Sequence, residues 1–301
     1  MNRFLKLCKN PMYLFLKIDD KTLHLLSDEA YLKIKYRYLF GENIDLALPK
    51  TFNQKLQWLK LHDRKDIYTV MVDKYEAKKY VSEVIGERYV IPTLGVYNRF
   101  DEISFDELPE QLVIKCTHDS GGLVIVRNKS KVDINEIRKK INKSLRRNYY
   151  FVSREWPYKN VKPRIIVEKY MRDSCHDELR DYKFFCFNGE PEVVLVCSDR
   201  FCGTGLKETW YDNKWNRLPF TEGGHEVDDS LTKPDNFDLM LKLARVLSKN
   251  IPFVRVDFYS IDGDVFFGEI TFYPASGYER FNPVEWDKKL GDMINLDLAK
   301  K

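Results

Sequence analysis

The chain has 301 residues, of which 44% are hydrophobic and 32% charged, so it can form two lobes and is too apolar to be disordered. Fifty Lys and Arg against 46 Asp and Glu give a net charge of +4, too small a bias to predict a nucleic-acid-binding protein. The six cysteines form no Cys-x-x-Cys pair and no zinc-type spacing with histidine, so we expect reduced thiols in a cytoplasmic protein.

The first 21 residues alternate basic and large apolar side chains. Their apolar runs are too short for the hydrophobic region of a signal peptide or for a transmembrane helix. We expect this segment to pack against the body of the protein. An alternative is an amphipathic helix on an anionic membrane, a peripheral contact that would place the protein at the inner face of the membrane.

The next part of the chain has a helical pattern of apolar residues, which runs over residues 27–63 and is interrupted by a glycine and a proline. Thr51 and Gln54 have the spacing of a capping box, which predicts that the second helix begins there. A third helix is predicted over residues 66–85, where a glycine ends it. Residues 1–65 are therefore predicted to be an N-terminal helical segment.

Beyond this segment, runs of β-branched residues bounded by Pro, Gly and Asp predict a mixture of strands and helices. The fold class is therefore α+β, with two mixed lobes that we place at residues 66–172 and 173–301. Further helices are expected at about residues 133–150, with a basic solvated face, and at about residues 237–249. The predicted strands are residues 89–96, 112–117, 123–127, 164–171, 182–188 and 192–198.

The segment 254–272 carries the strongest functional signal, because two alternating strands flank one turn. Arg255 and Asp257 share one face with Glu269 and Thr271, where no hydrophobic layer requires them. Two convergent carboxylates suit Mg2+ that carries a polyphosphate, whereas the alternative is a hairpin with a solvated polar face. The even-numbered apolar positions are expected to face the core: Val254, Val256, Phe258, Phe266, Ile270 and Phe272.

The turn of this hairpin decides whether the carboxylates meet. A two-residue type I′ loop at Asp262 and Gly263 would pair Asp257 with position 268. A three-residue loop or a bulge would pair Asp257 with Glu269. We favour one of these, because side-chain alternation specifies register more strongly than one dipeptide does.

A lysine inside an apolar strand marks a second candidate site. Lys115 precedes a glycine-containing loop, and a buried lysine needs a partner such as phosphate. The backbone N–H groups of Ser120, Gly121 and Gly122 are expected to line the phosphate chain. His118 either contacts phosphate or closes the loop, and we favour the loop. The alternative for Lys115 is an extended side chain that reaches solvent.

The strand at residues 164–171 ends in polar residues and is a candidate hinge between lobes. A purine needs backbone donors and acceptors for its edge and apolar groups for its faces, which the segment 169–171 offers. Glu168 is placed to accept from the exocyclic amine and Asp181 from ribose hydroxyls. Each carboxylate alone is equally typical of an exposed surface acid. The hinge candidates are Lys169, Tyr170 and Met171.

Several short motifs along the chain belong together: TFNQKLQW at 51–58, DK at 73–74 with Lys78, IPT at 91–93, KCTHDSGG at 115–122, REWPY at 154–158, VEKYM at 167–171, DYKFFCFNG at 181–189, RVD at 255–257 and EITFYPASG at 269–277. Taken together, these motifs resemble the ATP-grasp superfamily, and within it the TupA-like (teichuronopeptide biosynthesis) family. The resemblance covers residues 25–290 and implies an ATP-grasp fold, in which two α+β lobes clasp ATP. We expect the N-terminal helices to leave no room for the substrate domain that usually precedes this fold.

The resemblance also implies roles for individual residues. Lys74 and Lys115 would hold ATP phosphates, and the hinge would bind adenine. Arg255 would lie beside the transferred phosphate, so Arg255 and Lys115 are the catalytic candidates. Lys183, in phase with Asp181 on its strand, is a further phosphate candidate. The implied Mg2+ ligands are Asp257 and Glu269, with Thr271 where many relatives have asparagine.

The implied reaction is ATP- and Mg2+-dependent ligation, in which a carboxylate becomes an acyl phosphate and an amine then attacks it. The TupA-like branch implies that an amino acid or peptide is joined to a uronic acid of a cell-surface polysaccharide. Alternatives are a sugar kinase, a non-catalytic module, and a glycosyltransferase that uses Asp262 and Asp264 as an Asp-x-Asp motif. Candidate acceptor contacts, of which the last two are equally typical of a core, are Arg154, Trp156, Tyr158, Arg200, Trp210 and Trp215.

Overall fold

The computed structural model describes residues 25–174, 179–199 and 205–300. Its helices are α1 (Asp28–Phe40), α2 (Phe52–His62), α3 (Asp66–Val72), α4 (Glu76–Ile85), α5 (Ile134–Leu145), α6 (Tyr150–Ser153), α7 (Phe237–Leu247) and α8 (Glu285–Met293). Its strands are β1 (Thr93–Tyr97), β2 (Leu112–Cys116), β3 (Leu123–Val126), β4 (Ile165–Lys169), β5 (Asp181–Phe187), β6 (Glu190–Ser198), β7 (Lys207–Asp212), β8 (Thr221–Glu222), β9 (Phe253–Ile261), β10 (Asp264–Thr271) and β11 (Phe281–Asn282).

The strands form two main antiparallel sheets. One has the order β1-β4-β2-β3, and the other has the order β10-β9-β5-β6-β7. A short pair, β11 with β8, lies beside them. Each main sheet is covered by helices, so the α+β class and the two-lobed arrangement are confirmed.

The smaller lobe has its own hydrophobic core between the four-stranded sheet and α5. Ile137 and Ile141 are four residues apart on one face of α5, and both are buried against Ile114 and Val167 of the sheet. The other faces of α5 are polar and basic, as the sequence predicts. This cluster is separate from the larger core around the five-stranded sheet.

The larger sheet is buried on both faces. Phe184 contacts Phe237 of α7 on one side, whereas its neighbour Phe185 contacts Phe52 of α2 on the other. All seven residues of β5 are buried: its second half, residues 184–187, is an apolar run, whereas Asp181 and Lys183 at its start are buried beside the cleft.

The N-terminal helices are therefore part of the larger lobe's packing. At the start of α2, the backbone N–H of Asn53 donates to the Asp287 carboxylate of α8 over 2.9 Å. The apolar residues of α2, α3 and α4 join the same hydrophobic cluster as the five-stranded sheet. The predicted division at residue 65 stays a prediction, but it does not coincide with the boundary between the two cores.

The helix predicted over residues 66–85 is in fact two helices, α3 and α4, with a break at Asp73. The Asp73 Oδ1 atom accepts from the backbone N–H groups of Tyr75 (2.9 Å) and Glu76 (3.3 Å), which caps α4. Its Oδ2 atom pairs with Arg164 at 2.7 Å. The break turns Lys74 out of the helical row and towards the cleft.

Two sequence-based expectations fall outside the described residues. The membrane-binding alternative concerns residues 1–24, and Arg200 lies in the gap at residues 200–204. Within the described residues, no helix combines the length and the apolar character needed to span a bilayer.

Candidate active site

The β9–β10 hairpin combines a tight turn with a bulge. Asp262 and Gly263 both have positive φ, so they form the two-residue loop that would pair Asp257 with position 268. A bulge between Phe267 and Glu269 then restores the register, and Glu269 lies opposite Asp257. The predicted bulge is confirmed, whereas the three-residue loop is wrong.

The bulge also corrects one predicted core residue. Between the turn and the bulge, the buried residues of β10 are Val265 and Phe267, at 3% and 4% exposure. Phe266 is therefore partly exposed, not buried as predicted. Beyond the bulge the phase changes, and Ile270 and Phe272 face the core as expected.

The polar face of the hairpin forms one connected cluster of charges. Arg255 donates from Nε to Asp257 Oδ1 (2.7 Å) and from Nη2 to Asp257 Oδ2 (2.7 Å). The same Nη2 donates to Glu269 Oε1 over 2.8 Å and to Thr271 Oγ1 over 3.2 Å. From the neighbouring strand β5, Lys183 donates to Asp257 over 2.7 Å. The convergence predicted from alternation is present in the fold.

The electrostatics of this cluster favour its charged state. Loss of water acts to raise the pKa of Glu269, but Arg255 and Lys183 outweigh it and lower that pKa to about 2. Burial raises the pKa of Asp257, opposed by the same two cations. Burial acts to lower the pKa of Lys183, but the charges of Asp181 and Asp257 raise it above its ordinary value. The side chain of Glu269 is 42% exposed, so a cation from solution can reach it.

On the opposite lobe, Lys115 forms an ion pair with Glu168 at 2.6 Å. Lys78 of α4 pairs with the other oxygen of the same carboxylate, and its Nζ also donates to the backbone oxygen of Ile91 over 2.7 Å. Burial acts to raise the pKa of Glu168, but these two lysines lower it. Lys78 is a site residue to which the sequence patterns assign no role, because its partner Glu168 lies 90 residues away.

The glycine-containing loop is held between α4 and α5. The Lys74 side chain donates to the backbone oxygen of Asp119, and Asp119 accepts from the N–H of Gly122 over 3.1 Å. A Cβ at Gly122 would lie 2.8 Å from Cβ of Cys116, so only glycine fits there. The loop therefore passes close to Lys74 at the mouth of the cleft.

His118 belongs to the scaffold of this loop. Its ring is buried, and Nε2 lies 3.2 Å from the backbone oxygen of Ser144 and 3.1 Å from that of Arg147. The ring is thus directed at the end of α5 and not at the cleft. The loop role that we favoured is the one the structure has, and the assignment of His118 as a nucleotide ligand is wrong.

These residues surround a cavity of about 790 Å3 between the lobes. A smaller cavity of about 140 Å3 adjoins it at the hinge and has apolar walls that include Ile91 and Val113. The predicted site residues that line the larger cavity are Lys74, Lys115, Ser120, Gly121, Gly122, Glu168, Asp181, Lys183, Asp257 and Glu269. Those that line the smaller cavity are Lys115, Glu168, Lys169, Tyr170, Met171 and Asp181.

A third cavity of about 240 Å3 meets the first at Lys183 and Glu269, and Arg255 lines the third cavity but not the first. Its remaining wall includes the turn Pro274–Gly277 and three glutamates. Burial raises the pKa of one of them, Glu222, to about 8, and the neighbouring carboxylates add to this shift. No sequence motif marks these side chains, which are Glu208, Glu222 and Glu279.

Most of the predicted acceptor contacts are structural. Arg154 is 1% exposed and lies against the rings of Tyr31 and Phe151, so it is not part of a loop over the cleft. Trp210 is 1% exposed in the core, and Trp215 stacks on Tyr211 at 4.2 Å between ring centroids. Trp156 does not line any of the three cavities. Only Tyr158 among the described candidates lines the main cavity.

The oxygen atoms of Asp257, Glu269 and Thr271 fit Mg2+ better than a metal ion whose ligands are all protein side chains. Among the residues that the structure describes, no three His, Cys, Asp or Glu side chains come together as a metal site. Mg2+ commonly binds one or two carboxylates and completes its octahedron with water and substrate phosphates. Two carboxylates beside a large cavity meet that requirement.

Comparisons with known proteins identify a family. The model of the TupA-like ATPgrasp family matches residues 54–295. Among curated proteins no match is found. Similar solved structures include a D-alanine–D-alanine ligase from Bacillus anthracis complexed with ATP, with a TM-score of 0.44 and 16% identity over 77% of this chain and 65% of that chain. The corresponding ligase from Helicobacter pylori has a TM-score of 0.44 and 13% identity over 81% of this chain and 69% of that one.

Proposed function

Because the chain belongs to the TupA-like ATP-grasp family, we propose that it is an ATP- and Mg2+-dependent ligase that joins a carboxylate to an amine. The observation that carries this proposal is a charged cluster: Lys183, Asp257 and Glu269 line the same main cavity as Lys115, and Arg255 forms ion pairs with both carboxylates. Such a cluster combines cations for a transferring phosphoryl group with carboxylates for its metal ion.

The hinge cavity fits the purine of ATP. Its apolar walls would contact the faces of the ring, and the backbone of Lys169 to Met171 would pair with its edge. Asp181, which lines both cavities, would accept from the ribose hydroxyls. Lys74, Lys115 and the glycine-containing loop would then hold the phosphate chain in the larger cavity.

The proposed reaction has two steps. In the first, a carboxylate oxygen of one substrate attacks the γ-phosphorus of ATP, the bond from that phosphorus to the β-phosphate oxygen breaks, and ADP leaves. In the second, an amine nitrogen attacks the acyl carbon, the bond from that carbon to the phosphate oxygen breaks, and the nitrogen loses a proton. Arg255 and Lys115 would neutralise the charge that develops, and the two lobes would hold the reactants in line.

Asp257 and Glu269 would hold Mg2+, with the hydroxyl of Thr271 contacting the ion directly or through water. When bound, Mg2+ supplies charge neutralisation at the phosphates. Both carboxylates now accept from Arg255, so part of that hydrogen bonding would be exchanged for metal ligation. The low pKa of Glu269 keeps that ligand ionised at neutral pH.

For the substrates, we propose an amino acid or peptide and a uronic acid of a cell-surface polysaccharide, joined in the cytoplasm. The third cavity supports an amino acid, because it places Arg255 beside three glutamates. A zwitterion could present its carboxylate to the arginine and its ammonium group to the glutamates.

The test is a thermal-shift comparison of ATP, ADP and a UDP-sugar, each with and without Mg2+, followed by product analysis. We expect ATP with Mg2+ to raise the unfolding temperature, by about 2–4 °C at saturating concentration. Phosphate released into solution with amino acid and uronic acid present supports ligation, whereas phosphate found on the sugar indicates a kinase. Stabilisation by the UDP-sugar alone would favour a glycosyltransferase.

A further inference from the structure

A strongly basic surface lies on the smaller lobe, beside the mouth of the main cavity. We propose that it binds an anionic polysaccharide chain, so that the acceptor is a polymer and not a free sugar. This inference rests on the proposed function and specifies its substrate. We call the following exposed residues the basic surface: Arg127, Lys131, Lys139, Lys140, Lys143, Arg146 and Arg147.

The charge of this surface is local. Residues 127–147 contain nine Lys and Arg but two Asp and Glu, a net charge of +7, whereas the whole chain carries +4. The other 280 residues therefore carry a net charge of −3. No side chain of the basic surface forms an ion pair with any acidic residue that the structure describes. On the solvent face of α5, Lys139, Lys140 and Lys143 outnumber the exposed Glu136, so the segment produces a positive potential that extends into solution.

Helix stability explains only part of this charge. Cations in the last turn of α5 interact favourably with its dipole, which accounts for Lys143 and its neighbours. Arg127 and Lys131 precede the helix and gain nothing from that dipole. Arg127 follows the end of β3 and lines the same cavity as Lys140, whereas Lys131 lies in the short segment between β3 and α5.

The surface is connected to the reaction site through α5. Lys140 and Arg127 line the main cavity. The end of α5 also holds the glycine-containing loop, because Ser144 donates to Asp119 and the oxygen of Arg147 contacts His118. A polymer bound along the basic surface would therefore run past the loop and present a repeat unit at the mouth of the cavity.

The chemistry of the surface favours a polycarboxylate. Each uronic acid of a chain carries one carboxylate, and exposed Lys or Arg contacts with single carboxylates are individually weak. Several such contacts along one chain act together, and the binding is sensitive to salt. A monomeric uronic acid in the cavity would reach at most Arg127 and Lys140, the two members of this surface that line the cavity.

The test compares binding of fluorescent polygalacturonate oligomers to the wild type and to two triple variants, without ATP. The first is Lys139→Gln with Lys143→Gln and Arg146→Gln, none of which lines the cavity. The matched control is Lys242→Gln with Arg245→Gln and Lys249→Gln, which removes three exposed charges at α7. We expect the first variant to lose at least about tenfold in affinity at low salt, with its unfolding temperature kept, and the control to bind like the wild type.

Equal binding by the two triple variants would overturn the inference, as would wild-type affinity for neutral dextran equal to that for the oligomer. Tighter binding of duplex DNA or of phosphatidylserine vesicles than of the oligomer would also overturn it, in favour of a nucleic acid or a membrane. Because the assay contains no nucleotide, its result is independent of the proposed ligase activity. Failure of that activity would instead appear as the absence of ATP-dependent stabilisation.

Discussion

At the scale of single residues, the metal site makes the sharpest prediction. Asp257→Asn or Glu269→Gln should reduce ATP-dependent turnover by at least about 100-fold, because each removes a charged Mg2+ ligand. The fold should be kept, since each substitution preserves the shape of the side chain. The measurement is ADP release beside circular dichroism.

Asp264→Asn is the matched control for these variants. Asp264 is an exposed carboxylate at the start of β10, on the same hairpin and away from the cavities. We expect its turnover to equal that of the wild type. Loss of turnover in this variant, with normal turnover in Asp257→Asn, would contradict our metal site and would favour the Asp-x-Asp interpretation.

At the scale of elements, the bulge in β10 determines where Glu269 points. A Cβ at Gly268 would lie 3.1 Å from the backbone oxygen of Asp257 and 3.3 Å from the ring of Tyr259. Gly268→Ala should therefore cost about 1–3 kcal/mol of stability and reduce turnover by displacing Glu269. The measurements are the midpoint of urea unfolding and the rate of ADP release.

Gly263→Ala tests whether that effect is specific to the bulge. Gly263 lies in the turn with φ near +88°, where a Cβ meets nothing within 4 Å. It should lose about 1 kcal/mol from backbone strain and keep its turnover. Similar losses of turnover in both variants would show that the hairpin as a whole, and not the bulge, positions the metal ligand.

The contact between α2 and the turn Pro274–Gly277 depends on a buried lysine. Lys60 Nζ donates to the backbone oxygen of Ser276 over 2.8 Å and to Gln57 over 2.9 Å. Burial lowers the pKa of Lys60 to about 7, although Glu155 acts to raise it. Between that value and the ordinary 10.5, the unfolded chain binds more protons than the native protein, so stability should rise with pH across this window.

Lys60→Met removes this titration. The free energy of unfolding of the wild type minus that of the variant should therefore increase from pH 7 to pH 9, by up to about 1.4 kcal/mol per pH unit. Loss of the lysine's hydrogen bonds adds an offset that does not depend on pH. The exposed Lys242→Met variant gives the baseline. If this difference stays constant from pH 7 to pH 9, the pKa of Lys60 is not lowered in the native protein.

At the scale of the whole molecule, the sequence correctly predicted the features that depend on neighbouring residues, such as strand alternation and helix capping. Alternation in β9 placed Arg255 and Asp257 on one face, and the capping box at Thr51 and Gln54 marked the start of α2, where both of its hydrogen bonds are present. The same alternation in β5 placed Lys183 in phase with Asp181, and both residues line the main cavity.

The sequence patterns gave wrong predictions where residues far apart in the chain are in contact. The helical pattern of residues 66–85 is uninterrupted at Asp73, where the helix breaks, and Asp73 pairs there with Arg164, which lies 91 residues away. The packing of α2 against the larger sheet depends on Phe185 and Phe253, which no window of sequence brings near Phe52. The same limit hid the glutamates of the third cavity, which come from separate strands and a loop.

The two separate hydrophobic cores predict how the protein responds to ATP. Because the apolar side chains of the two lobes form separate clusters, each lobe should move as a rigid unit about the hinge at residues 169–171. ATP with Mg2+ should slow amide hydrogen exchange in the glycine-containing loop and at the end of β4, which line the cavities, and leave α7 unchanged. Exchange measured by mass spectrometry at peptide resolution tests this. Equal slowing in α7 would contradict rigid lobes, since it would mean that binding stabilises the entire fold instead of closing the cleft.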